Sequence, residues 1–175
     1  MLKHVIIESD RLKQVPITAD YIEIIYHTFT KEVTTYMYPK APDEIGETEK
    51  FVLDSIKGLE NGRNLQMVIL SKDTHEFIGC CGLHQYHTNI PEIGIWIKKD
   101  AHGHGYGLEA VSALIEWARK HREIEYFRYP VDRRNIASRR IPEAHGGTTI
   151  EGRKIMNMSG FELDIVNYCI KGNKN

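Results

Sequence analysis

The alternation of hydrophobic and polar positions divides the chain into strand-like and helix-like segments. Short runs rich in valine, isoleucine and aromatic residues, bounded by turn residues, predict strands. Apolar residues spaced three and four apart predict amphipathic helices. The strands are expected at 5–7, 12–17, 65–70, 76–86, 93–97, 126–131, 149–156 and 161–170, and the helices at 18–27, 47–59, 108–121 and 135–145.

The order of these elements predicts an α+β fold. Helices stand between some of the strands, and the chain has no repeats, low-complexity segments or linker, which is typical of one layered structure. A length of 175 residues is enough for a sizeable single core. One domain is therefore expected over residues 1–175, ending in a hairpin that turns at Ser159-Gly160.

The central segment of the pattern runs from Glu92 to Gly107, as a strand, a glycine loop and the start of a helix. Gly103, Gly105 and Gly107 alternate in the loop. Glycines let backbone N–H groups gather into a concave nest, and the helix that follows directs its positive end to the same place. Such a device binds a phosphate or pyrophosphate.

Two well-known phosphate loops fit the segment poorly. A Walker A loop needs Gly-Lys-Ser/Thr, but Gly105 is followed by Tyr106 and Gly107. In a Rossmann fingerprint the third glycine falls at Leu108, although Asp132 is available as the ribose-binding acid. A Rossmann unit usually opens its domain, whereas here residues 1–91 come first. A nucleotide-binding oxidoreductase stays as an alternative.

A third kind of loop fits better. The run His102-Gly-His-Gly-Tyr-Gly107 resembles the Arg/Gln-x-x-Gly-x-Gly/Ala loop of the GNAT superfamily of acetyl-coenzyme-A-dependent N-acetyltransferases. The flanking segments resemble the branch that contains the ribosomal-protein N-terminal acetyltransferases, so the resemblance spans nearly the whole chain. These segments are Glu8-Ser-Asp-Arg-Leu, Glu92-Ile-Gly-Ile-Trp-Ile, Asn135-Ile-Ala-Ser with its exit into Glu151-Gly, and Asp164-Ile-Val-Asn-Tyr-Cys-Ile.

The resemblance implies a GNAT fold, with a central, twisted, mostly antiparallel mixed sheet flanked by helices. In that fold the strands at 93–97 and 126–131 splay apart, and acetyl-CoA enters the wedge between them as co-substrate. One position departs from the family pattern, because His102 stands where Arg or Gln is preferred. An imidazole titrates near neutral pH, so cofactor affinity is expected to become sensitive to pH.

The cofactor is expected to be held largely by backbone groups. Its pantetheine arm can pair with the strand edge at Ile95–Ile97 as an added strand does. An N–H near Trp96 or Ile97 can stabilise the thioester oxyanion, although Trp96 can equally serve as core packing. The tyrosine that many family members use seven residues after the asparagine is replaced by Pro142, which leaves Ser138 to donate to the departing thiolate. The complete cofactor-binding set is Ile95, Trp96, Ile97, His102, Gly103, His104, Gly105, Tyr106, Gly107, Asn135 and Ser138.

The acceptor amine must lose a proton, so a base is required. Glu92 is the expected base, acting through a water, and together with Ser138 it forms the catalytic pair. His84 and His87 are alternative bases. Tyr36, Tyr38 and His84 are the expected acceptor-binding residues.

A metal site is not expected. The spacing His102-x-His104 occurs in metal sites, and His84, His87 or His145 could add a ligand. However, no cysteine or carboxylate cluster accompanies these histidines at a suitable spacing.

The composition limits the classes of partner and the cellular location that are expected. A net charge of −1 does not favour a nucleic-acid partner. Three cysteines, one adjacent pair and a single residue, suit a reducing cytoplasm rather than a disulfide framework. No apolar run reaches the roughly 20 residues of a membrane span. A soluble cytoplasmic protein is expected, and the free edge of the last hairpin offers a surface for a homodimer.

The functional prediction is therefore an N-acetyltransferase. It transfers acetyl from acetyl-CoA to a primary amine, either a protein N-terminal α-amine or a small amine, by direct attack. A noncatalytic acyl-CoA-binding sensor of the same fold is the alternative from a different class.

Overall fold

Local sequence signals and burial together define the elements that the structure, a computed structural model, describes for residues 2–174. The strands are β1 (Ile7–Glu8), β2 (Leu12–Pro16), β3 (Leu65–Ser71), β4 (Phe77–His84), β5 (Glu92–Ile97), β6 (Tyr126–Asp132), β7 (Thr148–Met156) and β8 (Glu162–Lys171). The α-helices are α1 (Ile22–Thr28), α2 (Ile45–Glu60), α3 (Tyr106–His121) and α4 (Ile136–Ala144), and short 3-10 turns cover Leu2–His4, Ala19–Tyr21 and Lys99–Ala101.

The predicted elements are present, and the differences lie at their ends. Helix α2 begins two residues before the expected start at Glu47, because Glu44 is its N-cap and Glu47 completes the capping box from within the first turn. The Glu47 carboxylate accepts the Glu44 N–H at 3.1 Å. The first helix begins as a 3-10 turn, and Thr18 makes no side-chain capping bond there.

The strands form one sheet in the order β1-β2-β3-β4-β5-β6-β8-β7. Neighbouring strands are antiparallel except β5 and β6. The sheet is therefore mixed and mostly antiparallel, and the α+β prediction is confirmed. A parallel doubly wound sheet is not formed, so the Rossmann alternative was wrong.

The parallel pair comes apart after a single register position. Strands β5 and β6 are paired only at Glu92 and Arg128, where the Arg128 N–H donates to the Pro91 carbonyl at 2.9 Å. Backbone groups alternate along a strand, so the next residue of β6 that faces β5 is Pro130, which has no N–H to donate. The expected wedge opens at this proline.

Helix α3 packs on the sheet beside this wedge. Its buried face consists of Ala110, Val111, Leu114, Ile115 and Ala118. The fully buried Gln14 of β2 fixes the helix, since its side chain donates to the Ala110 carbonyl at 2.9 Å. Over residues 2–174, none of the helices is both long and apolar enough to cross a membrane.

Candidate functional site

The glycine loop between β5 and α3 has the backbone conformation that its sequence predicts. Gly103 and Gly105 have φ of +81° and +74°, values that side chains disfavour. Gly107 serves a different purpose inside α3, because a Cβ there would lie 3.2 Å from the Cδ1 atom of Ile141. Two glycines shape the loop, and the third lets α4 approach α3.

The loop presents a row of unused backbone donors. The first backbone hydrogen bond of α3 is made by the Glu109 N–H to the Gly105 carbonyl. In the part of the chain that the structure describes, the N–H groups of residues 103–108 have no protein acceptor. Six consecutive amides at the positive end of a helix form a binding site for an anion.

Arg11, which the sequence interpretation did not single out, ties the loop to the β1–β2 turn. Its guanidinium donates to a carboxylate oxygen of Glu109 at 2.6 Å and to the His104 carbonyl at 2.9 Å. It also lies 4.6 Å from the centre of the Tyr106 ring. The only sequence signal was the Ser9-Asp-Arg turn, because the partners are far apart in the chain.

Glu109 holds the other side of this contact. Its carboxylate accepts the Ser9 hydroxyl at 2.7 Å and the Arg11 N–H at 2.8 Å. Burial alone raises the pKa of Glu109, but these hydrogen bonds and the guanidinium together outweigh burial and hold the pKa below its usual value. The carboxylate thus stays ionised and locks the first turn of α3.

His102 closes the loop against the end of β5. Its Nε2 atom lies 2.7 Å from the Ile97 carbonyl oxygen, so this nitrogen carries a proton and donates it to that carbonyl. Where Arg or Gln was expected, the imidazole therefore bonds to a strand-edge acceptor.

The free edge of β5 lies across the wedge from β6. The Lys98 N–H donates to the Ile78 carbonyl, which means that Lys98 and Trp96 direct their backbone groups to β4. Ile95 and Ile97 therefore direct theirs into the wedge. The Trp96 ring packs 4.8 Å from Phe29 and 5.8 Å from Phe77. A thioester oxygen would find the Ile95 or Ile97 N–H rather than that of Trp96.

Asn135 and Ser138 stand at the start of α4, above β6. The Asn135 side chain caps the helix by accepting the Ser138 N–H at 3.2 Å. The Ser138 hydroxyl lies 2.7 Å from the hydroxyl of Tyr129, a buried residue of β6 that the sequence interpretation missed. Pro142 lies inside α4 and still takes part in its C-terminal end, because the Pro142 carbonyl accepts the Gly147 N–H at 2.8 Å.

The other face of the sheet carries Glu92 and His84. A Glu92 oxygen lies 3.2 Å from the Arg128 Nε atom. His84 lies opposite Glu92 on β4, and its ring covers Gly94, where a Cβ would be 3.0 Å from Nε2. Desolvation by surrounding protein atoms lowers the pKa of His84, although the charge of Glu92 partly opposes this. A neutral imidazole and a carboxylate therefore stand beside the free edge of β5.

Tyr36 and Tyr38 lie against the turn between β7 and β8. The Tyr38 carbonyl accepts the Met158 N–H at 3.0 Å, and the Tyr38 side chain is 56% exposed. The Tyr36 ring lies beneath the guanidinium of Arg134, which also covers Phe161. This aromatic group forms a wall at the far end of the wedge.

Asp132 is buried beneath this wall and supports it. Its two carboxylate oxygens accept the Arg134 guanidinium at 2.8 and 2.6 Å and the Asp164 N–H at 2.9 Å. The bond from Arg134 lowers the pKa of Asp132 to about 2, against the effect of burial. The carboxylate is thus fully engaged within the protein, and its suggested role as a ribose acceptor was wrong.

The remaining histidines lie apart from one another. His145 bonds to the Ser112 hydroxyl at 2.9 Å, and the exposed His87 lies beside the Arg63 carbonyl. Burial lowers the pKa of His145, aided by the charge of Arg119. Across residues 2–174, no three His, Cys, Asp or Glu side chains are grouped as a metal would require.

Known proteins share both the sequence pattern and the fold. Residues 11–148 match the family model described as an acetyltransferase (GNAT) domain. No curated protein shows significant sequence similarity to the chain.

Several solved structures superpose on nearly the whole chain at low identity. One is RimL, a ribosomal L7/L12 alpha-N-protein acetyltransferase in complex with coenzyme A (TM-score 0.83, 17% identity, 98% of this chain and 100% of that one). Another is an acetyltransferase from Salmonella typhimurium that modifies the N-terminal serine of L7/L12 (TM-score 0.80, 18% identity, 94% of this chain and 97% of that one). A third is the microcin C7 self-immunity acetyltransferase MccE with acetyl-CoA and AMP (TM-score 0.82, 19% identity, 93% of this chain and 93% of that one).

Proposed function

The chain belongs to the GNAT acetyltransferase family, and from this premise we propose that it transfers the acetyl group of acetyl-CoA to a primary amine by direct attack. One observation carries the proposal. Six unused amides of the glycine loop lie at the mouth of the same wedge that exposes the free edge of β5. This combination suits a cofactor that has a pyrophosphate at one end and an amide-bearing arm at the other.

The cofactor is proposed to run from the loop into the wedge. Residues 103–108 hold its pyrophosphate, and the arm pairs with Ile95 and Ile97. The thioester oxygen then faces one of the two free N–H groups, and such an oxyanion donor is worth roughly 3 kcal/mol in the transition state. His102 has to release the Ile97 carbonyl if the arm is to use that acceptor.

The leaving thiol is proposed to depart beneath α4. Asn135 is proposed to bind an amide of the arm as well as capping its own helix. Ser138 is the hydroxyl that donates to the thiolate. The positive end of α4 further favours a negative charge at this place.

The amine is proposed to enter from the opposite face, beside Glu92 and His84. Glu92 takes the amine proton through a water, and Arg128 holds the carboxylate in place. His84 is the alternative acceptor of that proton. Tyr36, Tyr38 and the β7–β8 turn form the wall against which the rest of the acceptor lies.

We propose the class of acceptor from what the similar proteins are described as acting on. RimL and the Salmonella protein are described as acting on a ribosomal protein N-terminus, whereas MccE is a self-immunity enzyme. A protein α-amine or a small amine is accordingly proposed here, in the cytoplasm. We also propose that a second copy of the chain pairs with the exposed strand β7.

Thermal stability in the presence of acetyl-CoA, with NAD as the control, tests the binding site. A ligand at about 100 times its Kd adds about 2.7 kcal/mol to the folded state, so the melting temperature should rise with acetyl-CoA alone. Gly105→Ala should weaken this rise. Gly62→Ala is the matched control, because Gly62 has the same φ of +74° in a distant turn.

Thiol release in a panel of primary amines tests the reaction. Turnover with one of these amines supports the enzyme. A stabilising effect of acetyl-CoA without turnover of any amine would instead identify the noncatalytic sensor. No effect of acetyl-CoA on stability would remove both functions.

A further inference from the structure

The Ser138 hydroxyl makes no bond back along its own helix, unlike three hydroxyl residues elsewhere in the helices. Thr28, Ser55 and Ser112 each donate their hydroxyl proton to the carbonyl four residues earlier, at 2.5, 2.8 and 2.6 Å. Ser138 makes no such bond among the described residues, and its hydroxyl instead meets the Tyr129 hydroxyl at 2.7 Å.

The direction of this bond follows from burial. Tyr129 is only 2% exposed, and its hydroxyl has no other partner in residues 2–174. Burial raises the pKa of Tyr129, so the residue stays a neutral phenol with a proton to donate. A buried donor without an acceptor is costly, and therefore Tyr129 donates and Ser138 accepts. The hydroxyl proton of Ser138 is left free.

The free proton lies on the helix that borders the wedge. Ser138 is in the first turn of α4, and Tyr129 is on β6, which forms one wall of the wedge. One turn further along α4, Ile141 packs against Gly107 and thereby joins this helix to the cofactor loop. A donor with a free proton thus stands between the loop and the splayed strands.

We propose that Tyr129 is a positioning residue for acetyl transfer, which holds the Ser138 hydroxyl so that its proton points at the sulfur of coenzyme A. This inference rests on the proposed function. As the amine nitrogen bonds to the acetyl carbon, the C–S bond breaks and its electron pair moves to sulfur. Ser138 donates a hydrogen bond to that sulfur, and Tyr129 keeps its proton throughout. The amine proton leaves to the base, and the thiolate is later protonated by solvent.

Removal of one oxygen tests the proposal. Tyr129→Phe should lower kcat about tenfold, because the Ser138 hydroxyl loses its orientation, while KM for acetyl-CoA stays within about twofold. Tyr168→Phe is the matched control. Tyr168 lies opposite Tyr129 in the sheet and is equally buried, but its hydroxyl bonds to Glu143 instead. It should keep the wild-type kcat, and melting temperatures of both variants check folding.

The double variant separates positioning from general damage. If Tyr129 acts through Ser138, Tyr129→Phe should cause no further loss of kcat once Ser138→Ala is present. Multiplicative losses, a changed KM with kcat intact, or an unaffected Tyr129→Phe would overturn the inference while leaving the acetyltransferase in place. A wild-type protein that binds acetyl-CoA but turns over no amine would overturn the proposed function itself.

Discussion

The ring of His84 lies over Gly94, next to the strand edge where the thioester is proposed to bind. Since desolvation by surrounding protein atoms lowers its pKa, His84 is neutral at pH 7 and able to accept a proton. If it is the base, kcat/KM should rise with pH through a pKa below 6.5, because only the neutral ring accepts a proton. His84→Gln should abolish that limb in a pH–rate profile measured from pH 5 to 9.

Glu92→Gln distinguishes the two candidate bases. The charge of Glu92 raises the pKa of His84, so its removal should move the acidic limb to lower pH if His84 is the base. If Glu92 itself takes the proton through water, the variant should instead lose kcat at every pH. An unchanged profile in Glu92→Gln would exclude any role for this carboxylate.

At the residue scale, the sequence could predict residues that are selected by their own backbone conformation. Gly103 and Gly105 were predictable because a positive φ selects glycine. Arg11 and Glu109 were not, since their contact joins residues 98 positions apart and has no local signature. The Tyr129–Ser138 bond was hidden for the same reason, as it depends on how α4 lies over β6.

Pro130 is the element-scale feature that explains the wedge. Its missing N–H faces β5, so the ladder that starts at Arg128 cannot continue to the Ile93 carbonyl. Pro130→Ala restores the donor and should draw the strands together at no cost in melting temperature. One hydrogen bond is worth about 1 kcal/mol net, so the Kd for acetyl-CoA measured by calorimetry should rise several-fold.

Pro16→Ala provides the control for this change, because Pro16 ends β2 on the distant side of the sheet. It should leave the Kd unchanged. An equal Kd for Pro130→Ala would mean that helix packing, rather than the missing donor, holds the wedge open.

Asp132 joins the end of β6 to the start of α4. Its pKa of about 2 lies below the roughly 3.9 of an unfolded aspartate, so its stabilising effect is complete above about pH 4 and is lost as the pH falls toward 2. Asp132→Asn should therefore lower the free energy of unfolding at pH 7 by on the order of 1 to 2 kcal/mol, discounted because Arg134 is partly exposed. The difference should vanish near pH 2 in urea titrations.

Asp164→Asn is the companion measurement. Asp164 pairs with Arg133 at 3.3 Å, and both side chains are about half exposed. Its substitution should therefore lower the free energy of unfolding much less than Asp132→Asn does. Equal losses in the two variants would show that the buried network carries no special weight.

At the element scale, the strands and helices were predictable because their periodicity is local. Their ends were not, because Glu47 lies within the first turn of α2 and completes its capping box instead of starting the helix. That the strands at 93–97 and 126–131 are neighbours came from the family resemblance rather than from periodicity, which specifies faces but not neighbours. Pro130 was a readable signal for the splay, but only once β5 was known to be its neighbour.

At the scale of the whole molecule, the two faces of the sheet offer separate approaches to the reaction centre proposed at the edge of β5. Ile97 faces α3 and the cofactor loop, while Trp96, one residue earlier, faces Phe29 after α1. The cofactor and the amine can therefore arrive from opposite faces and meet at the edge of β5. The splayed strands are what join these two faces.

Strand β7 forms an outer edge of the sheet, and within residues 2–174 no strand pairs with its outer side. Strand β7 is exposed along its length except at the half-buried Ile155. The Asn157 N–H bonds to the Phe161 carbonyl, and by alternation Gly152, Lys154 and Met156 direct their backbone groups outward. A second β7, antiparallel and centred on Gly152, would place Glu151 opposite Arg153 twice. Shifting the centre by one residue would instead oppose two like charges.

Lys154→Pro tests this pairing, because it removes an outward N–H and leaves the bonds to β8 intact. Light scattering should show that a homodimer dissociates in this variant. Arg153→Glu should weaken the homodimer as well, because Glu151 would then face a like charge. Adding Glu151→Arg to Arg153→Glu should restore the dimer, since the opposite charges are exchanged. A wild-type protein that stays monomeric at high concentration, or a dimer indifferent to both variants, would place any association elsewhere. In that case the bulge beside Ile150 and the charges of β7 protect the edge against pairing.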